Sequence, residues 1–265
     1  MPPQNIFDLS GKVAAVVGSG SGIGEAIALG AARAGAVVVG LDVNGDAAEA
    51  VAARARGEGG QCGSAELDIR DSAAVDRAFE SIRASHGKLD VVICTPAINV
   101  RKKILDYEDD ELERVLNLNL KGNFYVLRAA GRIMTAQRRG SIVLFSSIRS
   151  QVVEPGQSVY AATKAGIVQM ARTAASEFGP FGVRVNAIGP GVIETPLTAP
   201  IKNNPDWFNA YAAKGVMNRW GTPEEMVGPA LFLASDAASF VTGTILFADG
   251  GWLAQDGRFT PPGMG

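Results

Sequence analysis

The sequence predicts an α/β chain built on one doubly wound parallel sheet of about seven strands, with helices on both faces. Three observations predict it. Short apolar runs alternate with stretches of helical length along the whole chain. The apolar runs show no in/out alternation, as befits strands buried on both faces. The connections are short and no Gly-, Ser- or Pro-rich linker divides the chain, so residues 1–265 are expected to form one domain.

Taken in order, residues 12–18 (Lys-Val-Ala-Ala-Val-Val-Gly) form the first strand, and an Ala-rich helix over 23–35 follows a glycine-dense turn. A second buried strand over 36–43 ends in Asp42. Residues 45–58 are helical, broken by Gly57 and by Gly59-Gly60. A third strand covers 61–67 and closes on Asp68. The helix over 71–85 has Asp71 or Ser72 as N-cap and Gly87 just past its end. A fourth strand (89–94) precedes a long helical stretch from Asp109 to about Gln137. A fifth strand (140–146), a helix (156–179) and a sixth strand (183–188) come next. The segment 195–221 carries Trp207, Phe208, Tyr211 and Trp220 with little regular period and is expected to form a lid. Plain aromatic packing is the competing reading. Thr222-Pro223-Glu224-Glu225 opens the last helix with an N-cap, a proline and acids in the first turn, and 245–248 is the last strand. The tail 256–265 is expected to be irregular.

Bulk properties exclude several functions. A net charge of −2 gives no electrostatic case for nucleic acid or an anionic membrane. No apolar stretch reaches the roughly 18 residues of a membrane span, and the N-terminus lacks a secretory signal, so a cytoplasmic protein is expected. Cys62 and Cys94 are too few for a disulfide framework or a structural zinc site and read as buried thiols. His86 is the only histidine, which rules out a two-histidine metal site; it sits at a helix end. No metal is expected.

The first turn reads Gly18-Ser19-Gly20-Ser21-Gly22-Ile23-Gly24. Glycines between a strand and a helix let the backbone approach a pyrophosphate and aim helix amides at it. The spacing is Gly-x-x-x-Gly-x-Gly, and a tight turn alone would also explain it. Asp42 ends the second strand, 24 residues after Gly18. A carboxylate there accepts from an adenosine ribose and repels a 2′-phosphate. With no Arg or Lys in 18–24 or 42–46, NAD is favoured over NADP. Asp68, with Ile69 beside it, can reach the adenine edge. Tyr160 and Lys164 lie four residues apart in an Ala-rich run, on one face of a helix. A phenol of pKa roughly 10 is a poor proton shuttle near neutrality unless a cation such as Lys164 favours the phenolate. Alone, the pair reads as well as a solvated i,i+4 contact.

Together these stretches resemble the short-chain dehydrogenase/reductase family over roughly residues 9–253. The matching stretches are 18–24, Asn119-Leu120-Lys121-Gly122, Ser146-Ser147, Tyr160-Ala161-Ala162-Thr163-Lys164, Pro190-Gly191-Val192-Ile193-Glu194-Thr195 and Ala248-Asp249-Gly250-Gly251. Ser147 stands 13 residues before Tyr160, as the resemblance leads one to expect. The resemblance implies a Rossmann-type fold and a catalytic set of Asn119, Ser147, Tyr160 and Lys164. Ser147 would bind the substrate oxygen, Tyr160 would exchange its proton, Lys164 would lower the Tyr160 pKa and hold the nicotinamide ribose, and Asn119 would hold a relay water. It implies NAD contacts at Gly18, Ser21, Gly22, Ile23, Gly24, Asp42, Asp68, Ile69, Pro190, Gly191, Ile193 and Thr195, besides Tyr160 and Lys164. A homotetramer or homodimer through the 109 and 160 helices is implied too. Two departures stand out: Val17 replaces a frequent Thr, and Cys94-Thr95-Pro96-Ala97 replaces Asn-Asn-Ala-Gly, so the bracing of the first turn must come from elsewhere.

For the substrate, strand ends four and five supply Asn99, Arg101, Lys102, Arg149, Gln151 and Gln157. Arg149, two residues after Ser147, can clamp a carboxylate with paired hydrogen bonds; a surface or interface ion pair is the alternative. Asn99, Arg149 and Gln157 are the candidate substrate residues. The expected activity is oxidation of a secondary alcohol, or its reverse, on a hydroxy acid or sugar acid. Neutral alcohols or polyols are the alternative substrates, and a non-catalytic NAD-binding protein the alternative class.

Overall fold

A computed structural model describes residues 5–255; the tail expected to be irregular lies outside them. Seven parallel strands run in the order β3-β2-β1-β4-β5-β6-β7: β1 (Val13–Val17), β2 (Val37–Asp42), β3 (Gln61–Glu66), β4 (Val91–Cys94), β5 (Gly140–Phe145), β6 (Val183–Pro190) and β7 (Ile245–Ala248). Every strand expected from the sequence is present.

The central strands are buried on both faces because alternate residues serve different cores. Val13, Ala15 and Val17 of β1 pack with α3 (Ser72–His86), α5 (Asn123–Gln137) and α6 (Ser158–Phe178) on one side. Ala14 and Val16 pack with α1 (Gly22–Arg33), α2 (Gly45–Gly57) and α9 (Val227–Ala234) on the other. A strand order that steps outward from β1 in both directions leaves a crevice at the carboxyl ends of β1 and β4, where open α/β sheets bind ligands.

Helix punctuation follows the sequence. Asp71 caps α3 through bonds from Ala73 N at 2.9 Å and Ala74 N at 3.0 Å, and Gly87 ends it in a left-handed conformation (φ 72°) just after His86. Cys62 and Cys94 are buried free thiols, and burial pushes the Cys94 pKa up to about 12. Among the described residues, no helix is long and apolar enough to cross a membrane.

Two elements differ from expectation. The single helix expected from Asp109 is split: α4 (Asp109–Leu116) passes into a π-helical segment, Asn117–Gly122, before α5. Such insertions widen a helix by one residue per turn and are frequent at functional sites. The segment 195–221, read without regular period, contains α7 (Ala199–Lys202) and α8 (Pro205–Lys214). Asn204 caps α8 by accepting from Trp207 N at 3.2 Å, with Pro205 at its first position.

Candidate active site

The glycine turn leaves β1 with Gly18 at φ 82°, its N–H donating to Leu41 O at 2.7 Å. A Cβ on Gly24 would stand 1.9 Å from the Gly18 carbonyl oxygen, so only glycine lets α1 start this close to the strand end. Ser21, the N-cap residue of α1, makes no side-chain cap, which leaves the helix N-terminus facing the crevice. Asp42 is fixed by two backbone donors, Gly20 N to Oδ2 and Asn44 N to Oδ1, both at 2.9 Å.

The brace that the departures at Val17 and Thr95 demanded is found across the strand pair. Thr95 Oγ1 donates to Val17 O at 2.9 Å, and its own N–H donates to the same carbonyl at 3.1 Å. The hydroxyl absent from residue 17 is thus supplied by the residue that follows β4.

These elements border a cleft of about 570 Å³, within the usual range for a ligand site. Gly18, Ser21, Gly22, Ile23, Gly24, Asp42, Asp68, Ile69 and Thr195 all line it. An uncapped helix N-terminus, a glycine-tight approach and a fixed carboxylate fit a dinucleotide. Ile193 does not line it: its side chain is 5% exposed and packs on Gly221 in the core. Gly191 instead borders a smaller pocket, and Pro190 closes β6 beside Ala248 of β7. Arg70, which was not singled out from the sequence, also lines the cleft and clamps Asp68 through Nε at 2.9 Å and Nη2 at 2.6 Å. The clamp holds the Asp68 carboxyl below its usual range.

The smaller pocket meets the cleft at Leu197 and gathers Asn99, Arg101, Ser147, Arg149, Gln157, Tyr160 and Tyr211 of α8. All three candidate substrate residues are among them. Asn99 Nδ2 donates to Gln157 Oε1 at 3.1 Å, while Asn99 Oδ1 is buried without a partner. Lys102 turns away to Glu111 on α4 at 2.7 Å.

Burial pushes the Tyr160 phenol above its usual range, while a hydrogen bond with Ser147 and the charges of Arg101 and Arg149 pull it back. The net effect is upward, and Ser147, Arg101 and Arg149 are the groups that oppose it. Lys164 lies over the Tyr160 ring, 5.5 Å from its centroid, and donates to Phe145 O at 2.8 Å. It is 2% exposed, and burial lowers its pKa to about 8. Asn119, at 0% exposed, accepts from Ile98 N at 2.9 Å and donates to Ile98 O at 2.8 Å and Thr163 Oγ1 at 3.3 Å. The π-helical turn brings it to this position, and its side chain is committed to the chain after β4 rather than open to the pocket.

Arg149 departs most from expectation. Its guanidinium is 8% exposed, ion-paired to Glu154 and stacked 5.5 Å over Trp252, so it is neither an open clamp nor a surface pair. Glu154 also takes Arg101 Nη1 at 3.0 Å and, on both oxygens, the Tyr211 hydroxyl at 2.5 Å. Glu154 was missed from the sequence. The available signal was its isolation: it is the only acidic residue between Glu113 and Glu177.

A family model described as enoyl-(acyl carrier protein) reductase matches residues 17–253. The chain is 35% identical over 258 residues to the 2-dehydro-3-deoxy-D-gluconate 5-dehydrogenase of Pseudoalteromonas atlantica, covering 94% of this chain and 98% of that one. It is 36% identical to the 3-oxoacyl-[acyl-carrier-protein] reductase of Thermotoga maritima, covering 92% and 98%. The crystal structure of a gluconate 5-dehydrogenase from Burkholderia cenocepacia, in complex with NADP and tartrate, superposes with a TM-score of 0.92 at 33% identity, covering 95% and 98%.

Proposed function

This chain belongs to the short-chain dehydrogenase/reductase family of oxidoreductases, and from that premise we propose that it is an NAD-dependent dehydrogenase interconverting a secondary alcohol and a ketone on a small sugar acid or hydroxy acid. The observation that carries this reading is one pocket at the end of the dinucleotide cleft that holds Ser147 and Tyr160 together with two guanidiniums, Arg101 and Arg149. Ser147 and Tyr160 suit proton exchange with a hydroxyl, and the guanidiniums suit a carboxylate.

In the direction of oxidation, the substrate hydroxyl would sit between Ser147 Oγ and the Tyr160 hydroxyl. Ser147 would orient it, and Tyr160 would remove its proton as the charge on oxygen grows. The dinucleotide, when bound, supplies the hydride acceptor. Lys164 would steady the nicotinamide ribose with donors beyond the one given to Phe145. Asn119 would hold the wall of the larger cleft through Ile98; a relay water would meet its backbone carbonyl, which also accepts from Asn123 Nδ2 at 2.9 Å. Assembly into a homodimer or homotetramer through α5 and α6 belongs to the same reading.

The gluconate-type names of the Pseudoalteromonas and Burkholderia proteins support an acid as substrate. The Burkholderia structure holds NADP, so the choice of NAD here rests on Asp42. A second reading, a dehydrogenase of neutral polyols, is favoured by Glu154, which cancels part of the guanidinium charge. The test is a panel of sugar acids, hydroxy acids and neutral polyols with NAD or NADP, followed by absorbance of the reduced cofactor. Highest kcat/KM on an acid is expected; equal or better turnover of neutral polyols overturns the reading.

A further inference from the structure

Glu154 has no place in proton or hydride transfer, yet three elements converge on it. Arg101 comes from the segment after β4, Arg149 from the turn after β5, and Tyr211 from α8. Each Glu154 oxygen accepts from one guanidinium, and the single Tyr211 hydroxyl hydrogen is shared between the two oxygens. Burial and the Glu154 carboxylate raise the Tyr211 pKa, keeping it a donor. With three donor groups engaged, this carboxylate has little left for a ligand. No acidic side chain lines the pocket among the described residues, whereas both arginines do. Glu154 is not among the lining residues, and the two arginines border the pocket with Ser147 and Tyr160.

The charge count is the informative part. A purely structural pair would match one guanidinium with one carboxylate, since unmatched charge at a poorly solvated site is costly. Here two guanidiniums share one carboxylate. Arg149 is held closely by Glu154 at 8% side-chain exposure, and Arg101 keeps 31%. The cluster therefore carries a surplus of one positive charge, and both of its guanidinium-bearing side chains line the pocket.

We propose that Glu154 is a specificity-determining residue that sets the pocket to a single surplus positive charge, so that it takes a ligand bearing one carboxylate there and not two. This deepens the acid-dehydrogenase reading above and rests on it. A monocarboxylate completes the charge balance of Arg101 and Arg149. A second carboxylate at the same place meets Glu154 across the guanidiniums and is repelled. Tyr211 ties the balance to α8, the helix that closes this side of the pocket.

The test needs no turnover. Calorimetry measures Kd for propionate and malonate, one carboxylate or two on the same three-carbon frame, on the full protein saturated with NAD+. For the unaltered protein, malonate is expected to bind no more tightly than propionate. In Glu154→Gln, which keeps an acceptor for Tyr211 and removes the charge, the malonate preference is expected to rise at least about tenfold. A ratio within about twofold of the unaltered protein, or no binding of either ligand to that protein, overturns the proposal. If Glu154→Gln does not fold, Arg101→Gln brings the cluster to neutrality, and both carboxylates are expected to weaken at least about tenfold; unchanged binding overturns it equally. Turnover of neutral polyols in the substrate panel would instead defeat the acid reading itself, a separate result from these affinities.

Discussion

The fixed carboxylate of Asp42 makes cofactor choice the first quantity to perturb. Gly20 N and Asn44 N each hold it at 2.9 Å, so it cannot swing away from a ligand cheaply. A 2′-phosphate brings about 1.5 to 2 negative charges. At about 5 Å and an effective dielectric of about 20, each unit charge opposite Asp42 costs about 3 kcal/mol, about 5 kcal/mol in all. Asp42 is partly exposed, and solvent and salt screening roughly halve that figure, leaving about 2–3 kcal/mol, or about 30- to 150-fold in relative affinity. The perturbation is Asp42→Asn, which keeps the shape and one acceptor oxygen. The assay is the ratio of kcat/KM for NAD to that for NADP, with one acid as substrate. The unaltered enzyme should favour NAD by at least about 30-fold, and Asp42→Asn should lower that ratio at least about tenfold. A preference of the unaltered enzyme for NADP refutes the reasoning. An unchanged ratio in Asp42→Asn refutes it too and would turn attention to Arg70, whose clamp on Asp68 is an exposed pair of little intrinsic strength.

Other consequences follow from single contacts. Gly24→Ala places a methyl 1.9 Å from the Gly18 carbonyl oxygen; thermal denaturation should show a loss of about 1–3 kcal/mol, and the KM for NAD should rise. Lys164, with a pKa lowered by burial to about 8 from a usual 10.5, binds fewer protons folded than unfolded between those values. Its contribution to stability should therefore rise with pH across roughly 8 to 10, and below 8 the penalty should be constant. Denaturant titration of the cofactor-free protein and of Lys164→Met should show that rise in the first and its loss in the second. Arg101→Gln removes a cation that lowers the Tyr160 pKa, so the rising, acid-side limb of kcat/KM for oxidation, along which Tyr160 loses its proton, should move to higher pH.

Much of this architecture was legible in the chain because the signals were local. Val13 to Val17 and Val91 to Cys94 are apolar without interruption, and both runs are buried on each face. Asp42 could be read from its place at a strand end, and Ser147, Tyr160 and Lys164 from their spacing. What escaped depends on partners distant in sequence. The stretch Asn117-Leu118-Asn119-Leu120 is compatible with an ordinary helix, and its π-helical form accompanies the bonds of Asn119 to Ile98, a residue 21 positions away. Glu154 looks like a loop acid until Arg101 and Tyr211, 53 and 57 positions away, are folded against it. The same contact changed the meaning of Arg149, whose neighbour in the fold could not be inferred from its neighbours in the chain. The helices α7 and α8 are short, and the prolines at 196, 200 and 205 interrupt any helical period, so only the Asn204-Pro205 start signal marks α8 in the sequence.

The most direct measurement is steady-state formation of reduced cofactor from NAD+ and the preferred acid by the unaltered enzyme and by Tyr160→Phe, which removes one oxygen from the pocket. A fall in kcat of at least about 100-fold with cofactor affinity within about twofold is the expected result, the size of a lost general acid–base contribution. A Tyr160→Phe enzyme that keeps more than about a tenth of kcat would contradict proton transfer at Tyr160.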